Sequence, residues 1–72
     1  AEPTDLLALD EALAELGERS ARQARVVELR WFGGLTFEEI GRELAVTDRT
    51  AKNDWRVARA WLAQRLDPEA AP

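Results

Sequence analysis

Apolar residues along this chain fall into four stretches, all at helical rather than strand spacing. Leu6, Leu9, Leu13 and Leu16 recur at intervals of three and four and define one stripe on a first helix. Pro3 and Thr4 open that helix, Asp5 puts a negative charge in its first turn, and Gly17 predicts its C-terminal cap. Val26, Val27, Leu29, Trp31 and Phe32 follow on a second helix, predicted from about Ala21 to Phe32. They are not confined to one stripe, so this helix is expected at the centre of the core, with Trp31 inside it and exposure to a partner as the alternative. Gly33-Gly34 stops it. Ile40 and Leu44, four apart, mark a short third helix. Ala51, Trp55, Ala58 and Leu62 mark a fourth, which runs without Gly or Pro from Asp48 to about Leu66.

Polar residues set the boundaries. Ser20 with Gln23, and Thr36 with Glu39, have the spacing of capping boxes, and Leu35 with Ile40 that of a hydrophobic staple. Thr47 is an N-cap for the fourth helix. Gly41 lies beside the Ile40 stripe, where a missing side chain lets a second helix approach closely. Only Ala45-Val46-Thr47 separates the third and fourth helices, so 36–66 reads as a helix-turn-helix. The expected fold is an all-α, compact four-helix domain with this unit at its C-terminal end. One domain covers residues 1–72, and the tail 67–72 is expected to be disordered.

Composition narrows the chemistry. The chain has no Cys and no His, so no disulfide, cofactor or metal site is expected, and the commonest general base is missing. Without Tyr as well, catalysis would rest on carboxylates, none of which pairs in a pocket-forming context, so an enzyme is not expected. The chain starts at Ala1, which suggests an excised or processed piece. No apolar run approaches the roughly 20 residues that span a membrane, and the expected compartment is the cytoplasm. The net charge of −4 is unevenly placed. The first 18 residues hold six acidic and no basic residues, whereas 19–66 hold ten basic and six acidic.

The fourth helix carries the functional argument. Its core face is Ala51, Trp55, Ala58 and Leu62. Arg49, Lys52, Asn53 and Arg56 cluster on a face roughly 140° away, in the half next to the turn. That half enters the major groove in helix-turn-helix proteins. Arg and Lys can donate to guanine, and Asn can bond adenine bidentately, so these four are candidate base contacts. Thr36, Arg42, Thr47 and Arg59 flank them as candidate phosphate contacts. Asp48 and Asp54 lie in the same half and are expected to repel phosphate. Val57 and Trp61 occupy a flank, where packing on the first helix is the expected role and a docking patch the alternative.

The stretch RQARVVELRWFGGLTFEEIGRELAVTDRTAKNDWRVARAWLAQRL resembles region 4 of bacterial extracytoplasmic-function (ECF) sigma factors, in the sigma-70 family. The similar features are the R-V-V-E-L-R helix, the G-L-T-F-E-E-I-G helix start, the V-T-x-R-T turn and the W-R-V-A-R-A-W-L helix. The likeness runs from about Leu6 to Leu66. It implies a winged-helix-like DNA-binding fold without a wing. It implies a reader of the promoter −35 element that also docks on the β-flap of RNA polymerase. The implied partners are double-stranded promoter DNA, the polymerase core, sigma region 2 of the full-length protein, and an anti-sigma factor. The sequence departs from the family pattern at Ala45, Ala51 and Asp54, where the family often has Gly, Val and a basic residue. Two alternatives stand beside this reading: the DNA-binding domain of a two-component-type response regulator, and a protein-interaction domain with little intrinsic DNA binding.

Overall fold

The computed structural model describes residues 3–66, and side chains from residue 7 onward. The expected roles of the Asp5 and Leu6 side chains and of the 67–72 tail lie outside the described residues. The helices, in order, are α1 (Pro3–Arg19), α2 (Ala21–Val27, continued by a π-helical turn over Glu28–Phe32), α3 (Phe37–Leu44) and α4 (Asp48–Leu66). No strand occurs among the described residues, and no helix there is long and apolar enough to cross a membrane.

α1 does not stop at Gly17. It runs on to Arg19, and a methyl at Gly17 would meet only the Ala24 methyl, 3.8 Å away. The break comes at Ser20, a single extended residue that closes one helix and opens the next. Its N–H donates to Leu16 O, and its Oγ accepts from Gln23 N at 3.1 Å, the forward half of the expected capping box.

α2 buries Val26 and Val27 completely, as a central helix should. Its end departs from expectation. Gly33 N–H donates to Glu28 O, five residues back, so the last turn is wider than an α-turn. A wider turn rotates its residues away from the direction that α-spacing predicts. Trp31 is therefore not a core residue: it is 52% exposed, and Phe32 beside it is 63% exposed. The two rings stack with centroids 6.2 Å apart, and Trp31 meets Trp55 edge-on at 6.4 Å.

The core has two parts joined by one side chain. Ala12, Leu16, Ala24, Val27, Ala58 and Leu62 form the first, between α1, α2 and α4. Val26, Ile40 and Ala51 form the second, between α2, α3 and α4. Trp55 packs against both. Trp61 packs on the first cluster, as expected, between the guanidinium groups of Arg19 and Arg65. Val57 does not follow it, remaining 42% exposed one turn earlier.

The helix-turn-helix is held by local bonds. Thr36 and Glu39 complete a reciprocal capping box, Thr36 N–H donating to Glu39 Oε1 at 2.9 Å and Glu39 N–H to Thr36 Oγ1 at 3.1 Å. Leu35 and Ile40 pack in the same cluster, as a staple requires. α3 ends at Ala45, whose φ of 58° is left-handed. Gly41 is buried against the turn backbone, and a Cβ there would lie 2.7 Å from Val46 O. The expected close approach is thus made by the turn itself. Thr47 then opens α4, its Oγ1 accepting from Thr50 N–H at 3.0 Å.

Candidate nucleic-acid interface

Packing of α4 fixes what it shows to solvent. Ala51 and Ala58 are fully buried and Leu62 nearly so, which turns the opposite side outward. Arg49, Lys52, Asn53 and Arg56 are all exposed there, in the half beside the turn. The structure thus brings together the four residues expected on one face. Two of them already touch: Arg56 Nη2 donates to Asn53 Oδ1 at 2.7 Å. One of the two lone pairs of the Asn53 carbonyl is engaged in the free protein, and its amide NH₂ remains a donor.

The four flanking residues divide by role. Arg42 and Arg59 are exposed cations. Arg59 lines an open cleft of about 270 Å³ with Arg30, Trp31 and Trp55. Arg30 is committed elsewhere: its guanidinium donates to Leu35 O at 2.9 Å and lies over the Phe37 ring. Thr36 and Thr47 are exposed, but each hydroxyl oxygen is engaged in a cap. Thr47 also gives its proton to Thr50 Oγ1, at 3.0 Å.

Acidic groups modulate this surface unequally. The Glu39 carboxyl is held below the usual carboxylate range, chiefly by the bond from the Thr36 backbone N–H, then by the Thr36 hydroxyl, with a smaller contribution from Arg42. A negative charge there also suits the N-terminus of α3. Asp48 is exposed in the first turn of α4, as expected.

Asp54 overturns its expected role. It is 2% exposed and faces the protein interior. Arg22 of α2 pairs with it: Nη2 donates to Oδ1 at 3.1 Å, and Nε lies 2.6 Å from Oδ2 in an ionic contact that leaves this buried oxygen without a hydrogen bond. A carboxylate buried on the core side and paired with a cation repels phosphate at the reading face far less than an exposed one. Helical geometry held the clue: position 54 lies roughly 70° from the centre of the core face and roughly 150° from that of the reading face. The same flank of α4 carries Trp61 on Arg19 and an Arg65–Glu15 ion pair to α1. Arg22, 32 residues from its partner, had no local pattern to mark it.

The comparisons with known proteins agree with this architecture. No curated protein and no solved structure matches the chain at a significant level. A family profile described as ECF sigma factor matches residues 1–68, nearly the whole chain. That match separates the sigma-factor reading from the response-regulator one. The chain belongs to the ECF sigma factor family, which acts in transcription initiation with RNA polymerase and promoter DNA.

Proposed function

We propose that residues 1–72 form region 4 of such a sigma factor and that α4 reads the promoter −35 element from the major groove. The observation that carries this is the exposed row Arg49, Lys52, Asn53 and Arg56 on one helix, beside a capped turn and opposite a buried face. In this reading the four side chains contact base edges. Arg42 and Arg59 hold phosphates on either side, with Thr36 and Thr47 contributing mainly through the helix N-termini they cap. Burial of Asp54 supports the reading, because it removes one of two charges that argued against it.

The second part of the proposal is docking on the polymerase β-flap, through a surface away from the reading row. Exposure of Trp31 and Phe32 favours it. So does the adjacent groove between α1 and α2, where Leu13, Ala14, Leu29 and Phe32 supply apolar lining. Sigma region 2 of the full-length protein and an anti-sigma factor complete the proposed partners.

A fluorescence-anisotropy titration tests the DNA arm, using duplexes with and without a −35 element at low salt. Preference for the element is expected. If three of the exposed cations Arg42, Arg49, Lys52, Arg56 and Arg59 meet phosphates, log K should fall with log salt at a slope of about −3. Absence of binding to any duplex at low salt, together with retained β-flap binding, would replace this reading with that of a protein-interaction domain.

A further inference from the structure

The reading row of α4 must be presented at one rotation and one tilt, and the fully buried apolar side chains beneath it are small. In the half that carries the row, the fully buried contact is Ala51, and the next is Ala58. Alanine methyls make a smooth face, and hydrophobic burial has no preferred direction. Trp55 is large but only half-buried, and it lies between two clusters.

A directional contact crosses at this level. The Arg22 guanidinium reaches from the first turn of α2 to Asp54, which adjoins Asn53 and lies two residues from Lys52 and Arg56. One charge-assisted hydrogen bond to Oδ1 and a close ionic contact at Oδ2, both made by one planar guanidinium, constrain the carboxylate in angle as well as distance. As a source of stability the pair is ordinary, since a well-packed apolar pair of similar volume commonly does as well or better. Its distinctive contribution is geometric. Side-chain atoms about 6 Å from a helix axis move about 2 Å when the helix rotates by about 20°. The usable range of a hydrogen-bond distance is only about 0.5 Å.

We infer that Arg22 and Asp54 are positioning residues for sequence discrimination, setting the rotation at which α4 presents Arg49, Lys52, Asn53 and Arg56. This rests on the DNA reading proposed above. Neither residue needs to touch DNA to act in this way. Arg22 belongs to α2, outside the helix-turn-helix, so discrimination depends on a residue that no inspection of the reading helix would select.

The test is an Arg22→Met/Asp54→Leu double variant of the 72-residue chain, which replaces the pair by apolar side chains. Thermal melting checks folding, and residual dipolar couplings measure the orientation of α4 relative to α2 without DNA. Anisotropy then gives the ratio of affinities for matched and mismatched duplexes. The expected result is a folded protein with altered or averaged couplings in α4 and a ratio about tenfold lower, the scale of one lost base contact. A folded variant with unchanged couplings and an unchanged ratio overturns the inference. Should the parent fail to discriminate any duplex, the DNA reading falls, and the couplings alone decide whether the pair orients α4. Arg22→Lys keeps the charge but not the planar guanidinium, and decides the matter if the double variant unfolds. Altered α4 couplings with a reduced ratio support the inference, and parental values for both refute it.

Discussion

Substitution at Gly41 separates close packing from helix propensity by the sign of its effect. In an ordinary helix interior, Gly→Ala stabilises by about 0.5–1 kcal/mol. At Gly41 the added methyl would lie 2.7 Å from Val46 O, 3.2 Å from Thr47 C and 3.3 Å from Asp48 N. All three are backbone atoms of the turn that seats α4 on α3, so no change of rotamer relieves the clash. The turn must move, and overpacking of this kind costs about 1–3 kcal/mol. With the propensity gain subtracted, Gly41→Ala should lose about 1–2 kcal/mol. A chain of this size is stable by about 4–11 kcal/mol in all, so that is a large fraction. Its melting temperature should fall by about 5–15 °C.

Gly17→Ala is the matched control. Gly17 lies within α1, and its added methyl would meet only the Ala24 methyl, at 3.8 Å. This variant should melt higher than the parent, by about 3–8 °C. Far-UV circular dichroism during heating and urea titration reads both. If Gly41→Ala melts at or above the parent, the turn is softer than its geometry implies, and the account of how α4 is seated fails.

Arg49→Ala should cost about 1–3 kcal/mol in binding and relax the preference at one base pair; equal losses on every duplex would mark it as a phosphate contact instead. Lys52→Ala, if the ammonium meets phosphate, should reduce the salt slope by about one, and an unchanged slope would exclude that contact. Trp55→Ala should cost about 3 kcal/mol, the low end for a tryptophan because the ring is half-buried, and parental melting would show that it does not join the two clusters. Because Glu39 is held below its unfolded value of 4.5, its capping contribution is present above that pH and is lost as the pH falls through the folded value. In an NMR titration its carboxyl carbon should change below pH 4.5, with the Thr36 amide moving in step; a midpoint at or above 4.5 would contradict the box.

What the sequence disclosed was mostly local. The Thr36 box, the Thr47 cap and the close approach at Gly41 each depend on residues within a few positions, so residue type and spacing suffice. The outward row of α4 came from a regular 3.6-residue period in a long helix with no interruption. What stayed hidden depended on distant partners or on irregular backbone. Arg22 and Asp54 meet across 32 positions, and only the assembled fold pairs them. The π-turn at Glu28–Phe32 breaks the period that placed Trp31 in the core, and nothing in ELRWF announces a wider turn. Gly17 shows the converse error. A glycine near a helix end reads as a cap, but α1 breaks three residues later, at the extended backbone of Ser20, whose side chain caps α2.

The hydrogen bond from Arg56 to Asn53 has a consequence for how two adjacent base preferences combine. In the free protein each side chain acts as a tethered competitor for the other. A base amino group that takes the same lone pair of the Asn53 carbonyl displaces Arg56 and makes it available to a neighbouring base. On the proposed reading, the two recognition steps are therefore coupled. Alanine at either position should change the base preference at both, and the two substitutions together should cost less than the total of their separate effects.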